Sequence, residues 1–194
     1  MNWDYDLFLW LNFDGGLLMD YLMLFASSRV GWAPIYLLIL YMLGRKVGWR
    51  RMLLFICMVV GAVVLADMFA GIFKHVGVLK SLAPDFPARL RPMYCTDLGG
   101  VVHVLTKGGL YGTVSAHAAT STAICILSSL AVRRWWLTLA LIAQTLTICY
   151  SRIYLAYHFP QDILIGIAVG IVSAAIMAII GVQIEKKLPP IGTR

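Results

Sequence analysis

The sequence predicts an all-α integral membrane protein with about five transmembrane helices and an N-terminal helix that lies in the membrane interface. Its 194 residues are 61% hydrophobic and 13% charged, and the mean hydropathy is +0.84. That leaves too little polar surface to cover a soluble globule of this size. Apolar runs long enough to span a bilayer recur along the chain. Together they predict a single membrane-embedded domain over residues 1–194.

The N-terminal elements follow from local composition. Residues 3–13 mix aromatic and leucine side chains with acidic ones, which predicts a short amphipathic interfacial helix. The segment lacks a basic n-region and a cleavage site, so no removable signal peptide is predicted. A first span is expected at 17–43, with a kink or break between Ser27 and Pro34. A second span, 52–73, follows the basic segment GRKVGWRR.

Three further apolar runs predict spans at 115–132, 135–150 and 160–183. Basic residues lie before the second span, between the third and fourth, and after the fifth, and by the positive-inside rule these sets face the cytoplasm. They are Arg45, Lys46, Arg50, Arg51, Arg133, Arg134, Lys186, Lys187 and Arg194. The acidic N-terminus and the polar segments 74–113 and 151–159 then face outward. The net charge of +7 therefore indicates lipid rather than nucleic acid as partner.

The segment SRIYLAYHFPQD, residues 151–162, holds the most informative spacing. His158 and Asp162 are four residues apart, and Pro160 between them suits the first position of a helix. Asp162 can then reach one ring nitrogen of His158 and leave the other free as a nucleophile or base. The planar guanidinium of Arg152 suits phosphate oxygens.

Two more outward segments extend this pattern. In TVSAHAATS, Ser115 is an N-cap candidate and His117 falls in the first helical turn, where backbone N–H groups favour an anion. In PARLRP, Arg89 and Arg91 add positive charge. Convergence of these basic segments predicts a site for a dianionic or trianionic group.

Two alternative roles for these residues stay open. Each histidine or arginine taken alone is equally consistent with an interface anchor. A metal site would draw on His103, His117 and His158 with Cys95 or Asp97, although the chain has neither HExxH nor CxxC spacing. The four cysteines imply no disulfide framework.

The motifs resemble those of the type 2 phosphatidic acid phosphatase family, which includes the vanadium haloperoxidases. Ser151, Arg152, His158 and Asp162 match its S-R, five residues, H, three residues, D motif at every position. Ser115 and His117 match P-S-G-H, with Val114 and Ala116 in place of proline and glycine. Arg91 and Pro92 match K, six residues, R-P, but a proline stands at position 84, which leaves Lys74 and Lys80 as candidates for the lysine.

The resemblance implies a helical-bundle phosphatase without metal or other cofactor. His158 would attack phosphorus to form a phosphohistidine whose imidazolium Asp162 stabilises, and His117 would protonate the leaving oxygen and then activate water. The phosphate oxygens would be held by Arg91, Arg152, Ser115 and Lys74 or Lys80.

The resemblance further implies a multi-pass enzyme of the bacterial cytoplasmic membrane whose site faces the exterior. Substrates open to such an enzyme are undecaprenyl pyrophosphate, ranked first, phosphatidylglycerol phosphate, phosphatidic acid and lipid A phosphates. A lipid-linked phosphotransferase and a non-catalytic lipid-phosphate binder or transporter remain alternatives. The sequence does not indicate an oligomeric state.

Overall fold

The computed structural model describes residues 3–28, 30–74, 80–82 and 84–187, and its secondary structure is helical apart from one isolated bridge between Leu90 and Tyr111. Within the long, mostly irregular segment before residue 116, short 3-10 turns lie at Lys80–Leu82, Pro92–Tyr94 and Thr96–Leu98. In chain order the helices are α1 (Trp3–Leu11), α2 (Gly16–Ser27), α3 (Ala33–Ile72), α4 (Ala116–Val132), α5 (Trp135–Tyr154) and α6 (Pro160–Glu185). This confirms the predicted all-α class.

The predicted break in the first span is confirmed. α2 ends at Ser27, a short 3-10 turn covers Val30–Trp32, and α3 begins at Ala33 with Pro34 in its first turn. A proline is tolerated there because its missing N–H would have no partner in the helix. α1 meets α2 at a bend of 115° and exposes Trp3 and Trp10, as expected of an interfacial helix.

α3 folds back on itself at Gly48. This residue has φ 74° and ψ 167°, a conformation open almost only to glycine. Tyr36 and Val64 line the same cavity, although a straight helix would hold them about 42 Å apart. Residues 33–47 and 49–72 are therefore two arms of a helical hairpin. Helix continues through most of the segment predicted as a basic loop.

Within the described residues, three helical stretches are long and apolar enough to cross a membrane. They are Val30–Ile72, Trp135–Tyr154 and Pro160–Glu185, and the bent pair of α1 and α2 would make a fourth. α4 is apolar but only 17 residues long. The count of five spans stays a prediction, because it requires the two arms of α3 to cross separately and α4 to cross as well.

Close contact between α4 and α6 brings their N-terminal ends together. A Cβ atom at Gly166 would lie 2.6 Å from the Ser115 carbonyl oxygen, and one at Gly170 would lie 2.4 Å from that of Ala119. Only glycine permits this approach, since both neighbours are backbone atoms. Ser115 N–H also donates to the Asp162 carbonyl at 3.0 Å. The two helix starts that carry His117 and His158 therefore share one end of the bundle.

Candidate functional site

A tight turn after α5 returns His158 toward Arg152. The N–H groups of Tyr157 and His158 both donate to the Arg152 carbonyl, at 2.9 and 3.2 Å. Ala156 in this turn has φ 55°, a left-handed conformation that is uncommon outside glycine. Pro160 then begins α6, as its sequence position predicts. His158 is left only 2% exposed.

The Nδ1 atom of His158 has two oxygen neighbours. The Gly112 carbonyl lies 2.8 Å away and the Asp162 Oδ2 atom 3.5 Å away. Because a carbonyl can only accept, Nδ1 carries the hydrogen and Nε2 keeps its lone pair. The sequence reasoning assigned the tautomer to Asp162 and did not include the Gly112 carbonyl, which makes the shorter contact. Asp162 Oδ2 also accepts from the Phe159 N–H at 3.0 Å, which caps α6.

His158 is held in its neutral form. Burial, followed by the positive charges of Lys74, Arg152 and Arg91, places the pKa of its imidazole well below the usual value. A neutral imidazole with a free Nε2 is the form that attacks phosphorus.

Arg91 and Arg152 both contact the ring of Tyr157. The Arg152 guanidinium carbon lies 3.9 Å from the centre of the Tyr157 ring, and that of Arg91 lies 5.1 Å from it. The Tyr157 hydroxyl is 2.7 Å from the Thr106 hydroxyl, which connects the ring to the loop between α3 and α4. The sequence reasoning missed Tyr157, because an aromatic residue next to His158 gives no sign that it stacks on two arginines.

Arg152 is buried, and its hydrogen-bonding capacity is incompletely used. Its Nη1 atom donates to the Ser27 hydroxyl, whereas its Nε atom has no hydrogen-bond partner in the described part of the chain. Arg91 donates from Nε to the Tyr111 carbonyl at 3.1 Å, and burial lowers the pKa of its guanidinium. A buried guanidinium nitrogen without a partner, such as Arg152 Nε, is typical of an anion-binding site.

Lys74 belongs to the same cluster of charges. Its side chain is 8% exposed, and burial together with the positive charge of Arg91 lowers its pKa to about 8, while Asp67 acts in the opposite direction. The structure thus brings Lys74 close to Arg91 and Arg152. The side chain of Lys80 lies outside the described residues.

The start of α4 confirms the predicted cap and places His117 beside a cavity. Ser115 accepts from the Ala118 N–H at 3.3 Å, and its side chain is fully buried. His117, in the first turn, lines a cavity of about 530 Å³ between α2, α3 and α4. Apart from Asp67 and several hydroxyl groups the lining is apolar. Ser27 also lines this cavity and binds Arg152, so the cavity adjoins the cationic cluster.

Arg89 differs from what the sequence predicts for it. Instead of joining the anion-binding cluster, its Nη1 atom lies 2.6 Å from Asp4 Oδ2 and 3.6 Å from Asp162 Oδ1. Its guanidinium carbon lies 3.7 Å from the centre of the Phe159 ring. The charge of Arg89 is therefore used by two buried carboxylates.

The metal-site alternative does not gain the ligands it would need. The His103 Nε2 atom lies 3.0 Å from Asp20 Oδ1, and Cys95 Sγ contacts the Tyr5 hydroxyl at 3.8 Å. Among the described residues, the side chains grouped closely enough to hold an ion are Asp14, Asp20 and His103. That group contains neither His117 nor His158.

Residues 55–185 match the model of the PAP2 superfamily. The chain is similar to the lipid A 4'-phosphatases of Bacteroides thetaiotaomicron and Porphyromonas gingivalis, with 28% identity to each over 86% of its own length and over 72% and 68% of theirs. The fold is similar to the crystal structure of Aquifex aeolicus LpxE, with a TM-score of 0.67 and 20% identity. The matched part covers 92% of this chain and 96% of that one.

Proposed function

Because the chain belongs to the PAP2 superfamily, the type 2 phosphatidic acid phosphatase family, and is a membrane lipid phosphatase, we propose that it hydrolyses a lipid phosphate monoester through a phosphohistidine on His158. One observation supports this proposal most strongly. A buried, neutral His158 with a free Nε2 lies in a cluster of three cations, Lys74, Arg91 and Arg152. Lys74 and Arg152 are buried and Arg91 is half-buried. Among the described residues, none of the three forms an ion pair of its own.

The reaction proceeds in two displacements. His158 Nε2 forms a bond to phosphorus as the bond from phosphorus to the ester oxygen breaks, and His117 gives that oxygen a proton. His117 then removes a proton from water, whose oxygen attacks the phosphohistidine and releases phosphate and free His158. The three cations and Ser115 hold the phosphate oxygens as negative charge shifts among them. Asp162 and the Gly112 carbonyl stabilise the positive charge on the imidazole ring.

The cavity beside His117 supports a lipid leaving group. It is mostly apolar, has hydroxyl groups and Asp67 on its wall, and adjoins the residue that protonates the leaving oxygen. We rank lipid A 4'-phosphate first, because both curated relatives are named lipid A 4'-phosphatases. The comparisons do not support the first rank that the sequence reasoning gave to undecaprenyl pyrophosphate.

The site is proposed to face the exterior of a bacterial cytoplasmic membrane. Lys46, Arg51 and Arg133 line a second cavity together with Glu185. This cavity contains the turn of the α3 hairpin, whereas His117 and His158 lie at the shared starts of α4 and α6. Since basic clusters are retained in the cytoplasm, the catalytic end lies outside.

Phosphate release from purified protein in detergent tests the proposal. The panel contains lipid A bisphosphate, phosphatidic acid, phosphatidylglycerol phosphate and undecaprenyl pyrophosphate, each assayed with and without EDTA. We expect release from lipid A bisphosphate to be fastest and insensitive to EDTA, and we expect vanadate to inhibit, because it adopts the five-coordinate geometry of the transition state.

Each contrary result has a distinct meaning. Activity restored only by a divalent ion would overturn the histidine mechanism. Transfer of phosphate to an added alcohol in preference to water would identify a phosphotransferase. Tight binding of every lipid with release from none would identify a non-catalytic binder.

A further inference from the structure

The N-terminal helix carries a fully buried carboxylate. Asp4 has an exposed fraction of 0%, while Trp3 and Leu7 on either side of it are exposed. Composition alone assigns Asp4 to the polar face of an interfacial helix, in contact with water. Burial of an ionised carboxylate is costly unless the charge is paired and hydrogen-bonded, so the position calls for a partner of matching charge.

Asp4 binds two parts of the site at once. Its Oδ2 atom lies 2.6 Å from Arg89 Nη1, and its Oδ1 atom accepts from the Gln161 N–H at 2.8 Å. Gln161 belongs to the first turn of α6, between His158 and Asp162. Tyr5 stacks on Phe159 with ring centres 4.8 Å apart, which adds an apolar contact between α1 and the residue before α6. α1 is thus attached directly to the turn that carries the nucleophile.

Arg89 connects Asp4 to both oxygen neighbours of His158 Nδ1. Through its side chain it lies 3.6 Å from Asp162 Oδ1. Through its backbone carbonyl it accepts from the Gly112 N–H at 2.8 Å, and the Gly112 carbonyl is the group 2.8 Å from His158 Nδ1. The position of Arg89 therefore affects the carbonyl and the carboxylate that hold the ring.

Asp4 competes with Asp162 for the charge of Arg89. If Asp4 were neutral, the guanidinium would have one carboxylate left and would close from 3.6 Å toward a direct ion pair with Asp162. That movement would draw the carboxylate away from Nδ1, which is 3.5 Å from it. The loss would be felt when phosphorylation makes the imidazole positive, because the carboxylate then stabilises the charge.

We propose that Asp4 is a positioning residue for the nucleophile, and that the N-terminal interfacial helix completes the active site by holding Arg89 in place beside Gly112 and Asp162. The inference rests on the proposed function, since it assigns Asp4 a part in the chemistry of His158. Asp4 touches neither the phosphate nor the reacting atoms; it acts through Arg89.

The test compares Asp4→Asn with Asp6→Asn in steady-state hydrolysis of lipid A bisphosphate. Asp6 is an exposed carboxylate on the same helix, so its variant controls for the loss of a negative charge near the membrane. We expect Asp4→Asn to lower kcat by about 10-fold to 100-fold, with KM changed by less than about twofold, because the interaction is made by the site and not by the substrate. Asp6→Asn should match the unmutated protein.

A double-mutant cycle with Arg89→Met shows whether Asp4 acts through Arg89. If it does, the double variant should lose no more kcat than the more damaging of the two single variants. If the two residues act independently, the losses in kcat should multiply, and that result would overturn the proposal that Asp4 acts through Arg89. The double variant removes both charges of the ion pair and so leaves no buried charge without its partner. It therefore supplies the measurement even where Asp4→Asn alone fails to fold. An unmutated kcat in the double variant would then overturn the proposal.

Two further outcomes are decisive. Reduced folded yield of Asp4→Asn with a normal kcat per folded molecule would show a structural role only and would overturn the proposal. Failure of the unmutated protein to release phosphate from any lipid would defeat the proposed function itself, a result distinguishable from an active enzyme that tolerates Asp4→Asn.

Discussion

The starts of α4 and α6 carry one histidine each at the same end of the bundle, but the surroundings of the two histidines differ. His158, before α6, is 2% exposed, has its Nδ1 atom 2.8 Å from a carbonyl oxygen and lies near the cations of Lys74, Arg152 and Arg91. His117, in the first turn of α4, is half-buried and faces a cavity of about 530 Å³. Two residues of the same type therefore have environments that suit different chemical roles.

The difference has a physical reason. A nucleophile must keep one protonation state and one orientation, which burial and a fixed tautomer provide. A residue that first gives and then takes a proton must reach both the leaving group and water, which requires an open neighbour such as the cavity. Variants of the two histidines, and of the groups around them, should therefore differ both in the size of their effect and in what that effect depends on.

Replacement of the buried histidine should have the largest effect. His158→Ala removes the only group proposed to bond to phosphorus, so turnover should vanish for lipid monophosphate and pyrophosphate alike. His103→Ala is the matched control, because that ring lies 3.0 Å from Asp20 and has no proposed part in the chemistry. Measurement of phosphate release per folded molecule decides the result. A turnover-competent His158→Ala would remove the nucleophile assignment.

Replacement of the cavity histidine should depend on the leaving group. His117→Ala should lower kcat on a lipid monophosphate by ~10²–10⁴-fold, because a sugar or glycerol oxygen needs a proton to depart. A lipid pyrophosphate should lose less, since its departing phosphate is already a stable anion. The two substrates are assayed with the same variant, each normalised to the unmutated protein. Equal losses on both would take the leaving-group role from His117.

Lys74 gives the cationic cluster a pH limit. With a pKa of about 8, its ammonium is charged below that pH and neutral above it. Because kcat/KM reports the pKa values of the free enzyme, it should fall as pH rises through about 8, and this fall is the alkaline limb of the pH profile. Lys74→Gln should lower kcat/KM below that pH and flatten the limb. Lys107 is an exposed lysine in the loop between α3 and α4, and Lys107→Gln should leave this alkaline fall unchanged. A limb that persists unchanged in Lys74→Gln would exclude Lys74 as its source.

Tyr157 should show the smallest effect. Its ring lies 3.9 Å from the Arg152 guanidinium carbon and 5.1 Å from that of Arg91, so Tyr157→Leu loses both contacts while Tyr157→Phe keeps them. Such contacts contribute about 0.5–2 kcal/mol, so we expect Tyr157→Leu to raise KM by about 2-fold to 30-fold. The increase would come from poorer positioning of the two arginines. Tyr157→Phe should stay within about threefold of the unmutated KM. Identical behaviour of the two variants would argue against the stacking role.

Local patterns in the sequence predicted the parts of the site that are close together in the chain. The spacing of His158, Pro160 and Asp162 anticipated the start of α6, and Ser115 anticipated the cap of α4. The Gly112 carbonyl was missed because any residue supplies a carbonyl. The helical hairpin at Gly48 was not predicted, because the basic residues around it indicated a loop between two spans.

The features of the site that the sequence did not predict arise from contacts between segments that are distant in the chain. Asp4 and Gln161 are 157 residues apart, and no local spacing connects an acidic interfacial helix to the first turn of α6. Arg89 looked like a phosphate ligand because it stands two residues before Arg91. Only the fold shows that two carboxylates take its charge, while Arg91 stays with the cationic cluster.

The stereochemical course at phosphorus distinguishes a covalent nucleophile from direct attack by water. A lipid phosphorothioate monoester, made chiral at phosphorus with two oxygen isotopes, is hydrolysed in water enriched in the third isotope, and the configuration of the released thiophosphate is determined. Two displacements through His158 predict net retention, because each displacement inverts the centre once. Net inversion would mean that water attacks the lipid phosphate directly, and it would contradict the assignment of His158 as a covalent nucleophile.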